Sequence, residues 1–130
     1  MKNTIKKAIL VLCFISPFAL ADEEPKKLTP PPEASALADI VTTALGLSQG
    51  ATELNPMGFV GSTVAKGAYF VFRDDLTKQD RELADRVLTS AWSGAVVNNL
   101  IVLTGGVTAV ALPVGVLVGI ALYLYNSDDN

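Results

Sequence analysis

Asp39 and Glu53 bracket a run of small and apolar side chains, Ile-Val-Thr-Thr-Ala-Leu-Gly-Leu-Ser-Gln-Gly-Ala-Thr, and three more apolar stretches follow it. An isolated ionised side chain in apolar surroundings costs several kcal/mol unless it finds a partner. The chain therefore has to fold so that its few buried charges meet. That constraint points to a small polytopic membrane protein, all-α, with three to four transmembrane or re-entrant helices.

The N-terminus has three parts. Lys2, Lys6 and Lys7 form a positive region, and residues 8–20 are apolar. Thirteen residues fall short of the roughly 20 that a membrane span requires. Ala19-Leu20-Ala21 then supplies the small residues of a cleavage site, with Asp22-Glu23-Glu24 directly after it. The expectation is a cleavable signal peptide over 1–21, with an uncleaved anchor as the alternative. Leu10-Val11-Leu12 before Cys13 lacks the small residues that precede a lipidated cysteine. Cleavage takes the formal net charge from −3 to −6 and removes the one cysteine. The chain has no histidine. Disulfides, thiol nucleophiles, Cys/His zinc sites and histidine bases are thereby excluded from the mature chain, and a basic nucleic-acid face is not expected.

Residues 22–33 contain Pro30-Pro31-Pro32, which favours an extended, solvated lead-in. The helical membrane domain is expected over 34–125. Its first segment, 34–54, should end at Pro56, which restricts Asn55. On a helix, Asp39, Thr43, Gly46, Gly50 and Glu53 share one face, with Leu37, Ile40, Val41, Ala44 and Leu47 opposite. Gly46 and Gly50 form a G-x-x-x-G pair suited to close helix packing. The second segment, 57–72, is short and carries Lys66 among small residues, with Tyr69, Phe70 and Phe72 as an interfacial belt. Segments one and two read as a helical hairpin or a re-entrant pair.

Residues 73–86 are polar. Thr77 and Asp80 resemble a helix cap, and Arg81–Asp85 and Glu82–Arg86 have ion-pair spacing. The helix should continue into segment 87–104, with Trp92 as an interface anchor and Asn98 and Asn99 at membrane depth. Gly105-Gly106 breaks the chain. Segment 107–125 is the best span by length, with Pro113 as a kink, Gly115 and Gly119 as a second packing pair, and Tyr123 and Tyr125 at its exit. Residues 126–130 form a polar tail. A cleaved signal leaves the mature N-terminus outside. Arg73, Lys78, Arg81 and Arg86 then lie outside as well, against the positive-inside tendency.

Asp39, Glu53, Lys66, Asn98 and Asn99 are the candidate intramembrane polar groups. An Asp39–Lys66 or Glu53–Lys66 pair would satisfy both members. A Ser62–Lys66 dyad is conceivable. No catalytic, cofactor-binding or metal motif stands out, and no cofactor is expected.

The pattern Asp39-x-x-Thr42-Thr43…Gly50-x-x-Glu53-x-Asn55-Pro56 resembles the first span of a family of small prokaryotic integral membrane proteins of unknown function, the DUF5658 type. The resemblance covers about 20 residues and implies a compact helical membrane fold without a known activity. The signal-like N-terminus and proline-rich lead-in depart from that family.

The functional expectation is a non-enzymatic integral membrane subunit that self-assembles or joins a larger cell-envelope complex, in contact with lipid and not with nucleic acid. Its expected place is a bacterial envelope, most simply the inner membrane. The alternative is a small pore or ion-conducting protein using Asp39, Glu53 and Lys66.

Overall fold

The computed structural model describes residues 30–127. The signal peptide expected over 1–21, most of the lead-in and residues 128–130 lie outside them. Four α-helices and no strands occur among the described residues: α1 (Pro32–Ser48), α2 (Gly58–Phe72), α3 (Lys78–Leu103) and α4 (Thr108–Tyr125), with a short 3-10 turn at Arg73–Asp75. The all-α expectation holds.

Each boundary has a local cause. Pro31 is extended and Pro32 takes the first helical position of α1, where no N–H is required. The proline run thus starts α1 two residues before the expected segment. The end of α1 is a correction. The helix stops at Ser48, well before Pro56, in a Schellman motif: Gly50 N–H bonds to Leu47 O at 3.0 Å and Ala51 N–H to Gly46 O at 3.0 Å. Gly50 has φ +85°, which only glycine adopts cheaply. Gly50 is therefore a cap, and nothing stands within 4 Å of the Cβ it lacks, so it is not half of a packing pair. Gly105, with φ +94°, ends α3 by the same motif, as the expected break at Gly105-Gly106 requires. Thr77 caps α3 by accepting from Asp80 N–H at 3.2 Å. The polar stretch and the third apolar segment form one continuous 26-residue helix. The Arg81–Asp85 and Glu82–Arg86 pairs give way to others: Arg81 reaches Asp74 at 3.2 Å, and Glu82 faces Lys78 at 3.8 Å. Pro113 sits inside α4, which continues through it as a single helix.

The helices run up, down, up, down. Ser35 meets Ser93 and Thr42 meets Asn99, so α1 and α3 are parallel neighbours. Asp39 meets Lys66, and Glu33 at the start of α1 meets Arg73 just past the end of α2, so α2 runs antiparallel to α1. Opposite α1, α3 packs antiparallel on α4, with Gly94 against Gly115 and Ser90 against Gly119. This contact uses Gly115 and Gly119 as expected, and Gly94 is their partner. A Cβ on Gly94 would stand 2.5 Å from Gly115 O, and one on Gly115 would stand 2.6 Å from Gly94 O.

Polarity is distributed inside out. Ser35, Asp39, Thr42, Lys66, Thr89 and Ser90 are buried, whereas the buried hydrophobic side chains are Ala36, Val96, Leu103 and Ala111. Val60 is 73% exposed and Leu117 65%, while Thr42 is 0% exposed. Among the described residues, only α4 is long and apolar enough to cross a membrane by length and composition, with a mean hydropathy of 2.0.

Gly94→Val is expected to force α3 and α4 apart and to cost about 1–3 kcal/mol. Gly67→Ala, whose added methyl meets open space, is expected to gain about 0.5–1 kcal/mol through helix propensity. Thermal unfolding followed by circular dichroism in detergent checks both.

Candidate functional site

Asp39 lies on the face of α1 that meets both α2 and α3. Its Oδ2 stands 3.0 Å from Lys66 Nζ, and both residues are only 7% exposed. Its Oδ1 accepts from Asn99 Nδ2 at 3.2 Å and from Thr43 Oγ1 at 3.4 Å. Asn99 Nδ2 also approaches Thr42 Oγ1 at 3.1 Å and Thr43 Oγ1 at 2.9 Å. An amide nitrogen has two hydrogens for these three acceptors, so at least one hydrogen is shared. Thr42 donates back to Ala38 O at 2.8 Å, which leaves its oxygen free to accept from Asn99. Asn98 Nδ2 donates to Asn99 Oδ1 at 3.2 Å. Of the two pairs open to Lys66, the structure forms the one with Asp39. The aromatic face of Trp92 lies 5.9 Å from Lys66 Nζ, a cation–π distance. Trp92 is half-buried and packs on Tyr69 and Phe70 of α2.

Glu53 departs from its expected place. It sits in the loop between α1 and α2, where its Oε1 accepts from Asn55 N–H at 2.9 Å. Asn55 Oδ1 in turn accepts from Met57 N–H at 2.9 Å. Glu53-x-Asn55-Pro56 is therefore a turn built from its own side chains rather than the tail of a helix.

A second polar cluster closes the opposite end of the bundle. Tyr69 Oη donates to Asp85 Oδ1 at 2.6 Å, and Arg73 bonds to Asp85 Oδ2 at 3.4 Å and to Glu33. Burial opposes the Arg73 charge, but Glu33 and Asp85 outweigh it and raise the guanidinium above its ordinary value. Nothing in the residue pattern points to this cluster, because its members lie on α1, α2, the 3-10 turn and α3.

A cleft of about 590 Å³ opens between α1, the Glu53 loop, α3 and α4. Asp39, Thr43, Glu53, Asn98 and Asn99 line one part of it; Val87, Ala91, Val116, Ile120 and Tyr123 line another. Four of the five candidate polar residues, Asp39, Glu53, Asn98 and Asn99, thus share one cleft, while Lys66 reaches it only through Asp39. Glu53 Oε2, Ser90 Oγ and Asn98 Oδ1 are buried lining atoms without a hydrogen-bond partner among the described residues. No cluster of three or more metal-ligating side chains occurs among the described residues.

No family model matches this chain, and neither a curated protein nor a solved structure matches it.

Lys66→Met is expected to leave the Asp39 carboxylate buried and unpaired and to destabilise the bundle by about 3–5 kcal/mol. Adding Asp39→Leu should recover most of that loss. Denaturant unfolding of the two variants in one detergent measures the difference.

Proposed function

We propose that this chain is a non-enzymatic integral membrane subunit, housed in a bacterial inner membrane, which assembles with itself or with a larger envelope complex. The observation that carries the reading is the inverted polarity of the bundle: charged and hydroxyl side chains inside, and valine and leucine outside on α2 and α4. Water penalises that arrangement. Lipid favours it, because lipid provides no hydrophobic drive between helices and leaves polar bonds and close backbone packing to hold them. The α3–α4 contact through glycines and the Asp39 network are associations of these two kinds.

A structural role for Asp39, rather than a conducting one, is supported by its engagement. Both oxygens have partners, and Lys66 is closed upon one of them.

Three measurements test the reading. Host membranes washed with alkaline carbonate should retain the chain until detergent is added; release by carbonate removes the membrane assignment. The native mass after mild detergent extraction should exceed that of one chain; a monomer in every mild detergent removes the subunit assignment. Proteoliposomes should hold an ion gradient as well as protein-free vesicles do, and a leak abolished by Asp39→Asn would put a pore in its place.

A further inference from the structure

The polar end of the cleft is one-sided in its chemistry. A carboxylate only accepts hydrogen bonds, so the Asp39 network has a direction. Asn99 turns its amide nitrogen to Asp39 and its carbonyl oxygen to Asn98. Asn98 must then donate its nitrogen, and its own Oδ1 is left buried and unmet. Glu53, held through Oε1 by the Asn55 N–H, likewise keeps a buried and unmet Oε2. The two unmet atoms are acceptors, and one belongs to a carboxyl group. No lysine or arginine lines the cleft among the described residues, and Lys66 is committed to Asp39. Ser90, two turns farther along α3, has a hydroxyl that both donates and accepts, so it selects neither kind of ligand.

The other part of the cleft has a defined extent. Its lining on α3 runs from Val87 to Asn99, about 18 Å at 1.5 Å per residue. One leaflet of hydrocarbon is about 15 Å deep. The Glu53 end lies at the α1–α2 loop, at one end of the bundle, which the membrane reading above puts at headgroup level. The trough below it is walled by Val87, Ala91, Val116 and Ile120.

We propose that this cleft is a binding site for a lipid with a primary-ammonium headgroup, such as an ethanolamine phospholipid. Its ammonium sits on Glu53 Oε2 and Asn98 Oδ1, and one acyl chain lies along the α3–α4 trough. The site rests on the membrane reading above. A primary ammonium carries three donors and a positive charge, matching both unmet acceptors. A choline headgroup has no N–H to give, and an anionic headgroup meets the Glu53 carboxyl. A lysine from a partner helix would fill the polar end alone and leave the trough empty.

Native mass spectrometry of the full chain in maltoside micelles, titrated separately with dioleoyl phosphatidylethanolamine, phosphatidylcholine and phosphatidylglycerol, tests the site. The ethanolamine lipid is expected to bind about tenfold more tightly than the other two. Glu53→Gln should abolish its advantage over the choline lipid. Ile120→Trp, which fills the trough from a half-exposed position, should weaken all three. Equal retention of the three lipids, preference for either of the others, or an unchanged preference in Glu53→Gln overturns the proposal, as does a co-purifying partner that blocks lipid uptake. Carbonate fractionation separates the two possible failures. A chain released by carbonate loses the membrane reading and this site together; a resistant chain indifferent to headgroup loses only the site.

Discussion

The ion pair between Asp39 and Lys66 is the interaction on which the rest of the bundle depends. It joins α1 to α2, and through Asn99 the same carboxylate joins α1 to α3. The backbone of α2 otherwise approaches its neighbours over only a short stretch. Its outward side is valine and glycine, which give no directional hold. A charge pair withdrawn from water is costly to form and still more costly to break. Its contribution is therefore less a gain in stability than a fixed register, since sliding α2 along α1 separates the charges.

The other half of the molecule is held differently. Between α3 and α4 the joint is a close backbone approach at Gly94 and Gly115, where no side chain intervenes. Such contacts are short-range and depend on dispersion, so they tolerate no added methyl at their centre. Asn98 stands where the two joints meet. It donates into the Asp39 network, and its Cβ lies 3.0 Å from the point a Gly115 Cβ would occupy. The cleft follows from this combination. A polar joint on one side of α3 and a glycine joint on the other leave a trough with a polar end and an apolar end.

Much of the helical layout was legible in the residues. Thr77 and Asp80 mark a helix start, Gly105-Gly106 mark a stop, and Lys66 stands out as a cation that needs an acid, with Asp39 and Glu53 both open to it. Two readings failed for one physical reason. Glycines four apart look alike whether they serve a packing face or end a helix, and Gly50 ends one, carrying Glu53 off the helix into a turn. Gly94 carries no such signal, because it has no glycine four residues away on its own helix; its counterpart lies on α4. Glu33, Tyr69, Arg73 and Asp85 are each unremarkable surface types in sequence, and become a cluster only where α1, α2 and α3 converge.

The sequence by itself determined the elements and the kind of surface they carry, because helix periodicity, caps and apolar content are local properties of a few consecutive residues. It also determined that Asp39 and Lys66 needed partners, since the cost of a lone buried charge does not depend on the fold. Only the tertiary structure decided which partners. Lys66 chose Asp39 over Glu53 because α1 ends at Ser48, which leaves Asp39 on the helix and Glu53 in the loop. The same packing decided which acceptors were left unmet, because the direction of a hydrogen-bond chain is set by where its one carboxylate sits among neighbours from other helices.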